Sequence, residues 1–416
     1  MTTIAVPGPT AGAAPTVAAG AAPVPGVVPL DIVGHGVFSA AGPGLAALTA
    51  LGGGPAAAAA DGVWPPLPVR AVTGFEPEAV LGRKGLSRLS RTDRLAMGAC
   101  LAAAGPGTDA AGRTGIVLGT DVGSAAAQEA FFRDTFVQER PYLVNPSAFP
   151  GTLMNSAAGR TAIRLGLTGL NATVSGGALA SLHALRYARN ALVNGHADLL
   201  LAGGVEELSA AGAWAWHRAG ALRPGAALGE GCAVFALRLG AAGSAGSAER
   251  AGSTVSAESS GSAGSAGSAG DGVVLGQLLA CETGFADPVA DGPLGVARRL
   301  AACVRTALLR SGPAGTGEGL PLVVPGAGAR RGWAAVERRA LREVFGPLPA
   351  ERVLRVDDAL GETYAASTAL RLAAVLARWR DGAGDGRTAG ERAAVLTAVG
   401  QDGSVGAAVV ARPATA

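Results

Sequence analysis

Side chains that could act as acid–base catalysts are few in this chain and unevenly placed. Its 416 residues include one lysine, Lys84, and four histidines, His35, His183, His196 and His217, so neither residue type occurs from about residue 220 onward. Imidazole and ammonium groups commonly move protons or stabilise developing charge in enzyme sites. His35 and His217 have no partner at metal-ligand spacing, and we expect no metal site. We interpret His183 as a partly buried structural residue rather than a substrate ligand.

Carboxylates and thiols are the remaining candidates for chemistry. Asp357, Asp358 and Glu362 lie close together in the sequence and could form an acid–base set, although a simple loop cluster fits the same pattern. The close glycines at 34–36 and 203–204 do not form a GxGxxG motif, so no nucleotide or other cofactor is expected. The cysteines lack CxxC spacing, which predicts reduced, buried, structural thiols at Cys100, Cys232, Cys281 and Cys303.

The composition excludes several classes of function. Hydrophobic residues make up 49% of the chain, enough for a substantial core, and the formal net charge is only +3. Without a basic or aromatic–basic patch, we expect no nucleic-acid partner. No run of 18 apolar residues is free of proline and charge, which predicts no membrane span. Residues 1–28 lack a basic n-region, so we interpret them as the flexible leader of a cytoplasmic protein.

Hydrophobic runs predict that strands and helices alternate along the chain. Buried strands are predicted at 111–120 and from Asp198, a helix over Ser124–Glu139, and a strand, tight turn and long helix from Asn171. The segment DIVGHGVFSAAG at 31–42 is predicted to form a strand, a glycine-rich turn and a helix start.

The chain divides into two halves of comparable element order, 29–240 and 272–416. Between them, residues 241–271 repeat Gly, Ser and Ala, which predicts a disordered surface insertion. The second half should include a helix over Gly295–Ser311 and a strand over Leu320–Pro325. Apolar strands alternating with helices favour an α/β sandwich built from two pseudo-repeated halves.

Four segments, in order, resemble the β-ketoacyl synthase family, whose fold is the thiolase-like five-layer αβαβα sandwich. They are LGRKGLSRLSRTDRLAMGA (81–99), NPSAFPGTLMNSAAGRTAIRLGLTGLNATVSG (145–176), LAGGVEEL (201–208) and GEGCAVFAL (229–237). The resemblance covers roughly residues 29–240 and 272–412.

The resemblance implies four chemical positions, and this chain lacks the reactive group at each. Condensing members carry a nucleophilic cysteine at a helix N-terminus, where TVSGGALASLHAL (173–185) has Ala178. The histidine of their His-Gly-Thr-Gly-Thr motif corresponds to Pro325 in PGAGA (325–329). Their lysine and second histidine correspond to Asp357 and Glu362. The isolated chain is therefore expected to have no condensing activity.

Within the family, the chain resembles the chain length factors, the ketosynthase β-subunits of type II polyketide synthases. PGAGARRGWAAVERRALREVFG (325–346) is similar to their Gly-Ala-Gly segment, followed by an acidic residue on a helix and a Phe-Gly end. LAGGVEELSAAGAWAW (201–216) carries a tryptophan after the Gly-Gly-Val strand. That subfamily commonly has glutamine where this chain has Ala178, which leaves open whether a priming role that depends on the glutamine persists.

The resemblance also implies roles away from these positions. The helix at 124–139 would line the far end of a tunnel shared across a dimer. Ser124, Ala127 and Phe131 share one of its faces, although ordinary helix packing is an alternative reading of that face. The strand that runs into Ala178 would pair with the partner subunit through Asn171, Ala172, Thr173, Val174 and Ser175.

Together these features predict a non-catalytic chain length factor, a subunit of a polyketide (antibiotic-type) β-ketoacyl synthase complex that needs no cofactor. It would heterodimerise with a Cys-bearing ketosynthase α-subunit and shape the tunnel that sets chain length on an acyl carrier protein. Two alternatives stay open: a repurposed acyltransferase or hydrolase that uses Asp357 or Glu362, and a homodimeric scaffold that keeps only the fold. A neighbouring gene for a Cys-His-His ketosynthase would favour the first interpretation.

Overall fold

The computed structural model describes residues 28–49, 51, 57–58, 63–105, 113–240, 273–316, 319–382, 388 and 390–413. The predicted insertion at 241–271, and all but the last residue of the predicted leader at 1–28, lie outside the described residues. Within those ranges no helix is long and apolar enough to cross a membrane.

The elements are numbered along the described chain. The strands are β1 Leu30–Ser39, β2 Gly42–Pro43, β3 Ala57–Ala58, β4 Pro68–Arg70, β5 Thr114–Gly119, β6 Asn171–Val174, β7 Leu199–Glu206, β8 Leu228–Gly229, β9 Gly231–Leu239, β10 Gly276–Phe285, β11 Leu322–Val324, β12 Ala393–Val399 and β13 Ser404–Ala411. The helices are α1 Pro77–Leu81, α2 Arg91–Ala104, α3 Ala125–Val137, α4 Ser156–Leu165, α5 Ala180–Val193, α6 Ala210–Ala219, α7 Gly292–Thr316, α8 Trp333–Phe345, α9 Asp357–Leu360 and α10 Ser367–Asp381. Helix α7 is kinked at Gly312.

The strand order repeats between the two halves. In the first half, β6, β5 and β7 are parallel, and β9 and β1 follow antiparallel. In the second half, β11 and β12 are parallel, β13 and β10 follow antiparallel, and Val353 makes a parallel bridge to Val323 where the first half has β6. An antiparallel pairing of β1 with β10 joins the halves. The predicted pseudo-repeat is therefore visible in the hydrogen bonding of the sheet.

Helices cover the strands in five layers. Leu95 of α2 and Ala157 of α4 belong to a core on one outer face of the first half. Leu182 of α5 shares a central core with α10, between the halves, and Val296 of α7 belongs to a core on the outer face of the second half. This α–β–α–β–α layering matches the prediction, and the burial of central strands such as β5 and β12 on both faces explains their continuous apolar sequences.

One local prediction was wrong. The glycines of the segment at 31–42 do not make a turn; Gly34 and Gly36 lie inside β1. A Cβ at Gly34 would stand 2.1 Å from the carbonyl oxygen of Ala103, and one at Gly36 would stand 1.9 Å from that of Ala99. The glycines therefore let β1 pack directly against α2.

Candidate functional site

Ala178 lies where the sequence predicted, on a tight turn between β6 and α5. The turn is a short 3₁₀ helix, Gly177–Leu179, and the Ala178 methyl group is buried. Gly177 has a left-handed φ of 54°, and a Cβ there would come within 2.7 Å of the Tyr364 hydroxyl. His183 packs under the turn against Gly176, and burial lowers its pKa, which favours the neutral imidazole. The turn is tight, and the alanine at its centre presents no nucleophile.

Tyr364 occupies the space opposite this turn. Its φ of 42° is unusual for a residue other than glycine, and its ring packs edge-on against Trp216 at 5.1 Å between centroids. Burial raises the pKa of the Tyr364 phenol to about 12. The hydroxyl is therefore neutral near pH 7 and is a poor general base.

The loop that begins at Pro325 is held by a buried carboxylate, Glu337 on α8. The backbone N–H groups of Gly326 and Ala327 each donate to Glu337 at 2.8 Å, and the Thr397 hydroxyl donates to it at 2.6 Å. Burial raises the pKa of the Glu337 carboxyl. Glu337 is an acidic residue on the helix where the resemblance expects one, and its carboxylate fixes the loop.

Two buried arginines bind Asp357 and Glu362, the carboxylates at the other two positions that the resemblance singles out. Arg330 Nε donates to Glu362 Oε2 at 3.1 Å, and Arg371 Nε donates to Asp357 Oδ1 at 3.2 Å. The side chains of Arg330 and Glu362 are fully buried. Both arginines also donate to the carbonyl oxygen of Gly326, each at 2.8 Å. The backbone N–H of Tyr364 donates to Glu362 at 3.0 Å, which links this network to the turn at Ala178.

Asp357, Glu362 and the loop that begins at Pro325 therefore share one buried network beside the turn at Ala178, and both carboxylates are engaged in ion pairs. Burial raises the pKa of the Glu362 carboxyl, and the nearby Arg330 guanidinium opposes that shift. Asp357 lies at the start of α9 rather than on an open loop. Sequence reasoning missed Arg330 and Arg371. The available signal was a charged residue within the otherwise apolar run TALRLAAVLA of α10.

The residues predicted to line a tunnel end lie on or before α3. Ser124 is the N-cap of that helix: its hydroxyl accepts from the N–H of Ala127 at 3.2 Å and donates to Glu207 at 2.9 Å. Ala127 is half-buried, and the half-buried Phe131 ring lies 5.9 Å from that of Phe149. The Ser124 hydroxyl is thus committed to holding the start of the helix.

The predicted pairing strand, β6, is an edge strand within the described part of the sheet. The carbonyl oxygen of Leu170 accepts from the N–H of Ile116 in β5 at 2.7 Å, and that of Val174 accepts from Thr120, the residue after β5, at 3.1 Å. Because the backbone N–H and C=O groups of successive strand residues point to opposite sides, those of Asn171 and Thr173 point to the open edge of the sheet. The flanking segments also expose large apolar side chains: Phe132, Phe136, Phe149, Ile163 and Tyr187.

Comparisons with known proteins agree with this architecture. The β-ketoacyl synthase N-terminal domain family matches residues 74–240. The 3-oxoacyl-(acyl-carrier-protein) synthase 2 of Vibrio harveyi is 32% identical over 99 residues, which is 24% of this chain and 24% of that protein. The match thus spans about a quarter of the length of that curated relative.

Two solved structures extend the likeness to nearly the whole chain. A type II polyketide synthase acyl-carrier protein in complex with its ketosynthase bound to the hexaketide matches with a TM-score of 0.70 at 13% identity, over 93% of this chain and 100% of that chain, a likeness of fold. The ishigamide ketosynthase/chain length factor matches with a TM-score of 0.71 at 31% identity, over 92% of this chain and 99% of that chain. The predicted thiolase-like fold is confirmed, and the chain belongs to the β-ketoacyl synthase family, in its ketosynthase/chain length factor group.

Proposed function

We propose that this chain is a non-catalytic chain length factor. It would pair with a Cys-bearing ketosynthase and shape the tunnel into which a growing polyketide extends on its acyl carrier protein. The observation that carries the proposal is that none of the four positions singled out by the resemblance offers a free catalytic group. Ala178 and Pro325 offer no reactive group, while Asp357 and Glu362 are bound by buried arginines.

The buried ion pair of Glu362 weighs against an acyltransferase or hydrolase that uses this carboxylate. A general base needs a free lone pair within reach of its substrate. Glu362 is fully buried, with one oxygen accepting from Arg330 and the other from the N–H of Tyr364. Asp357 is held through one oxygen by Arg371. Chemistry at Glu362 would first require breaking a buried pair, which is costly, whereas Asp357 keeps its second oxygen, Oδ2, unpaired.

The edge strand supports assembly with a partner. An exposed strand edge beside apolar side chains is usually covered, because it otherwise pairs unspecifically. A ketosynthase of the same fold would present a matching strand, so that one sheet continues through both subunits. Co-expression with the neighbouring ketosynthase should give a stable 1:1 complex, measured by size-exclusion chromatography. A well-behaved monomer that ignores that ketosynthase would contradict the pairing.

Restoring the nucleophile alone should not restore catalysis. Ala178→Cys places a thiol on the turn, but no imidazole or lysine from the second half accompanies it. Groups of a catalytic set act as a unit, so one member alone gives little rate enhancement. We expect no β-ketoacyl product from the isolated A178C chain by mass spectrometry of the carrier protein. The control is the A178C chain with the active ketosynthase, which should keep condensing. Product from the variant alone would contradict the proposal.

Changes on α3 should alter product length without abolishing condensation. Ala127→Phe adds a ring to the proposed tunnel wall and should shorten the polyketide product. Phe131→Ala removes a ring and should give longer products or a broader distribution of product lengths. The measurement is the length distribution of carrier-bound products from each variant complex. Ala126→Phe is the matched control, because Ala126 is an exposed neighbour on the same helix. Unchanged lengths in both test variants, with the complex intact, would show that this face is ordinary packing.

A further inference from the structure

A cavity of about 450 Å³ lies beside the loop that begins at Pro325, on the side of α8. Arg338 and Arg342 of that helix line it, with Arg355 from the segment before α9. Its wall also includes aliphatic residues, among them Leu341 and Val356, and three carboxylates with a fourth arginine: Glu337, Asp357, Asp358 and Arg223. The cavity therefore has a cationic part and an apolar part.

The charges of this wall are not balanced. Arg223 pairs with Asp358 at 2.8 Å. Asp357 accepts from the Arg371 guanidinium, and Glu337 accepts from the N–H groups of the loop. Among the described residues, the guanidinium groups of the other three arginines of the wall form no hydrogen bond or ion pair with the protein: Arg338, Arg342 and Arg355. Three guanidinium groups around one cavity favour a multiply charged anion, and their planar donors suit phosphate oxygens.

A buried acceptor faces the same cavity. The Asp357 side chain is only 8% exposed, and its Oδ1 atom is paired with Arg371. Its other oxygen, Oδ2, is buried and has no hydrogen-bond partner. Gly328 lies directly beside this oxygen, since a Cβ there would stand 3.2 Å from Oδ2. An unpaired buried acceptor is costly, so it points to a ligand that brings a donor.

We propose that this cavity binds a phosphate ester that carries a hydroxyl or N–H donor. The arginines would hold the phosphate, and Asp357 Oδ2 would accept from the donor. The ligand's carbon chain would lie against Leu341 and Val356. The site is separate from the tunnel on α3 and does not depend on the proposed role in chain length.

Isothermal titration calorimetry tests the site with the full-length chain, in the assembly in which it purifies. The probes are inorganic pyrophosphate, which offers phosphate groups alone, and glycerol 3-phosphate, which adds hydroxyl donors. Both should bind saturably. The double substitution R338A/R342A, at two exposed residues, should weaken the affinity for each probe by about tenfold or more, because it removes charge-assisted hydrogen bonds. Gly328→Ala, which crowds Asp357 Oδ2, should weaken glycerol 3-phosphate and leave pyrophosphate unchanged.

Arg339→Ala is the matched control, because Arg339 is an exposed arginine of the same helix that does not line this cavity. It should change either affinity by less than about twofold. Absence of saturable binding to the unmodified chain would overturn the proposal. So would an R339A effect as large as that of R338A/R342A, which would indicate unspecific attraction of anions to α8. Equal weakening of both probes by G328A would overturn the role of Asp357.

Discussion

Arg330→Met should lower the free energy of unfolding by about 3–5 kcal/mol at neutral pH, the range typical for removing one partner of a buried ion pair. The change leaves the Glu362 carboxylate fully buried without its cation. It also removes the donors to the carbonyl oxygens of Gly326 and Val399. Urea denaturation at fixed protein concentration measures the loss.

The control for this change is Arg331→Met, because Arg331 is the exposed neighbour in the chain. It should alter the free energy of unfolding by less than about 0.5 kcal/mol, as surface substitutions usually do. The double variant R330M/E362L should recover part of the loss, since apolar residues can replace a buried ion pair. An R330M variant as stable as the unmodified chain would show that the network does not support this loop.

The loss in R330M should also depend on pH. Removing Arg330 takes away the group that lowers the pKa of Glu362, so burial raises that pKa further above its unfolded value of about 4.3. A raised carboxyl pKa gives stability that is present below the unfolded pKa and is lost as pH rises through the folded pKa. The deficit of R330M should therefore shrink as pH falls from about 7 toward about 5. A deficit that grows on acidification would contradict this account.

The sequence predicted those elements whose local signals agree with their tertiary setting. The turn after β6 follows from Gly176 and Gly177, and α3 begins directly after Ser124, the first residue of the predicted helix. The glycines of β1 led to the wrong prediction of a turn, because glycine is found both in turns and where a strand packs closely against a helix. That approach depends on α2, which lies some 60 residues further along the chain and leaves no mark on the local pattern.

The centre of the site shows a similar limit. The loss of cysteine, histidine and lysine could be inferred position by position from the family motifs. The replacement contacts could not, because Arg371 and Arg330 reach Gly326 and the carboxylates only after α10 and the loop have packed. A sequence pattern can show that a reactive residue type is missing from a position. It does not show which contacts the replacing residue makes.

Thr173→Pro should separate this chain from its ketosynthase while leaving its own fold intact. The neighbouring residues of β6 bond to β5, so the N–H of Thr173 faces the open edge and its removal breaks no bond within the subunit. Across the proposed interface the proline removes one strand-to-strand hydrogen bond and places its ring against the partner. We expect the dissociation constant to rise at least about tenfold, since a lost bond that leaves its partner unpaired costs about 1–3 kcal/mol.

Thr173→Val is the matched control, because it keeps the backbone N–H and suits a strand. The T173V chain should bind the ketosynthase like the unmodified chain, while T173P should elute apart from it in size-exclusion chromatography at micromolar concentration. Circular dichroism of T173P should match that of the unmodified chain, which separates a lost interface from a lost fold. If T173P retained full affinity, the subunits would have to meet through another surface. The apolar side chains of α3 would then be the next surface to test, because Phe132 and Phe136 are exposed there at 58% and 86%.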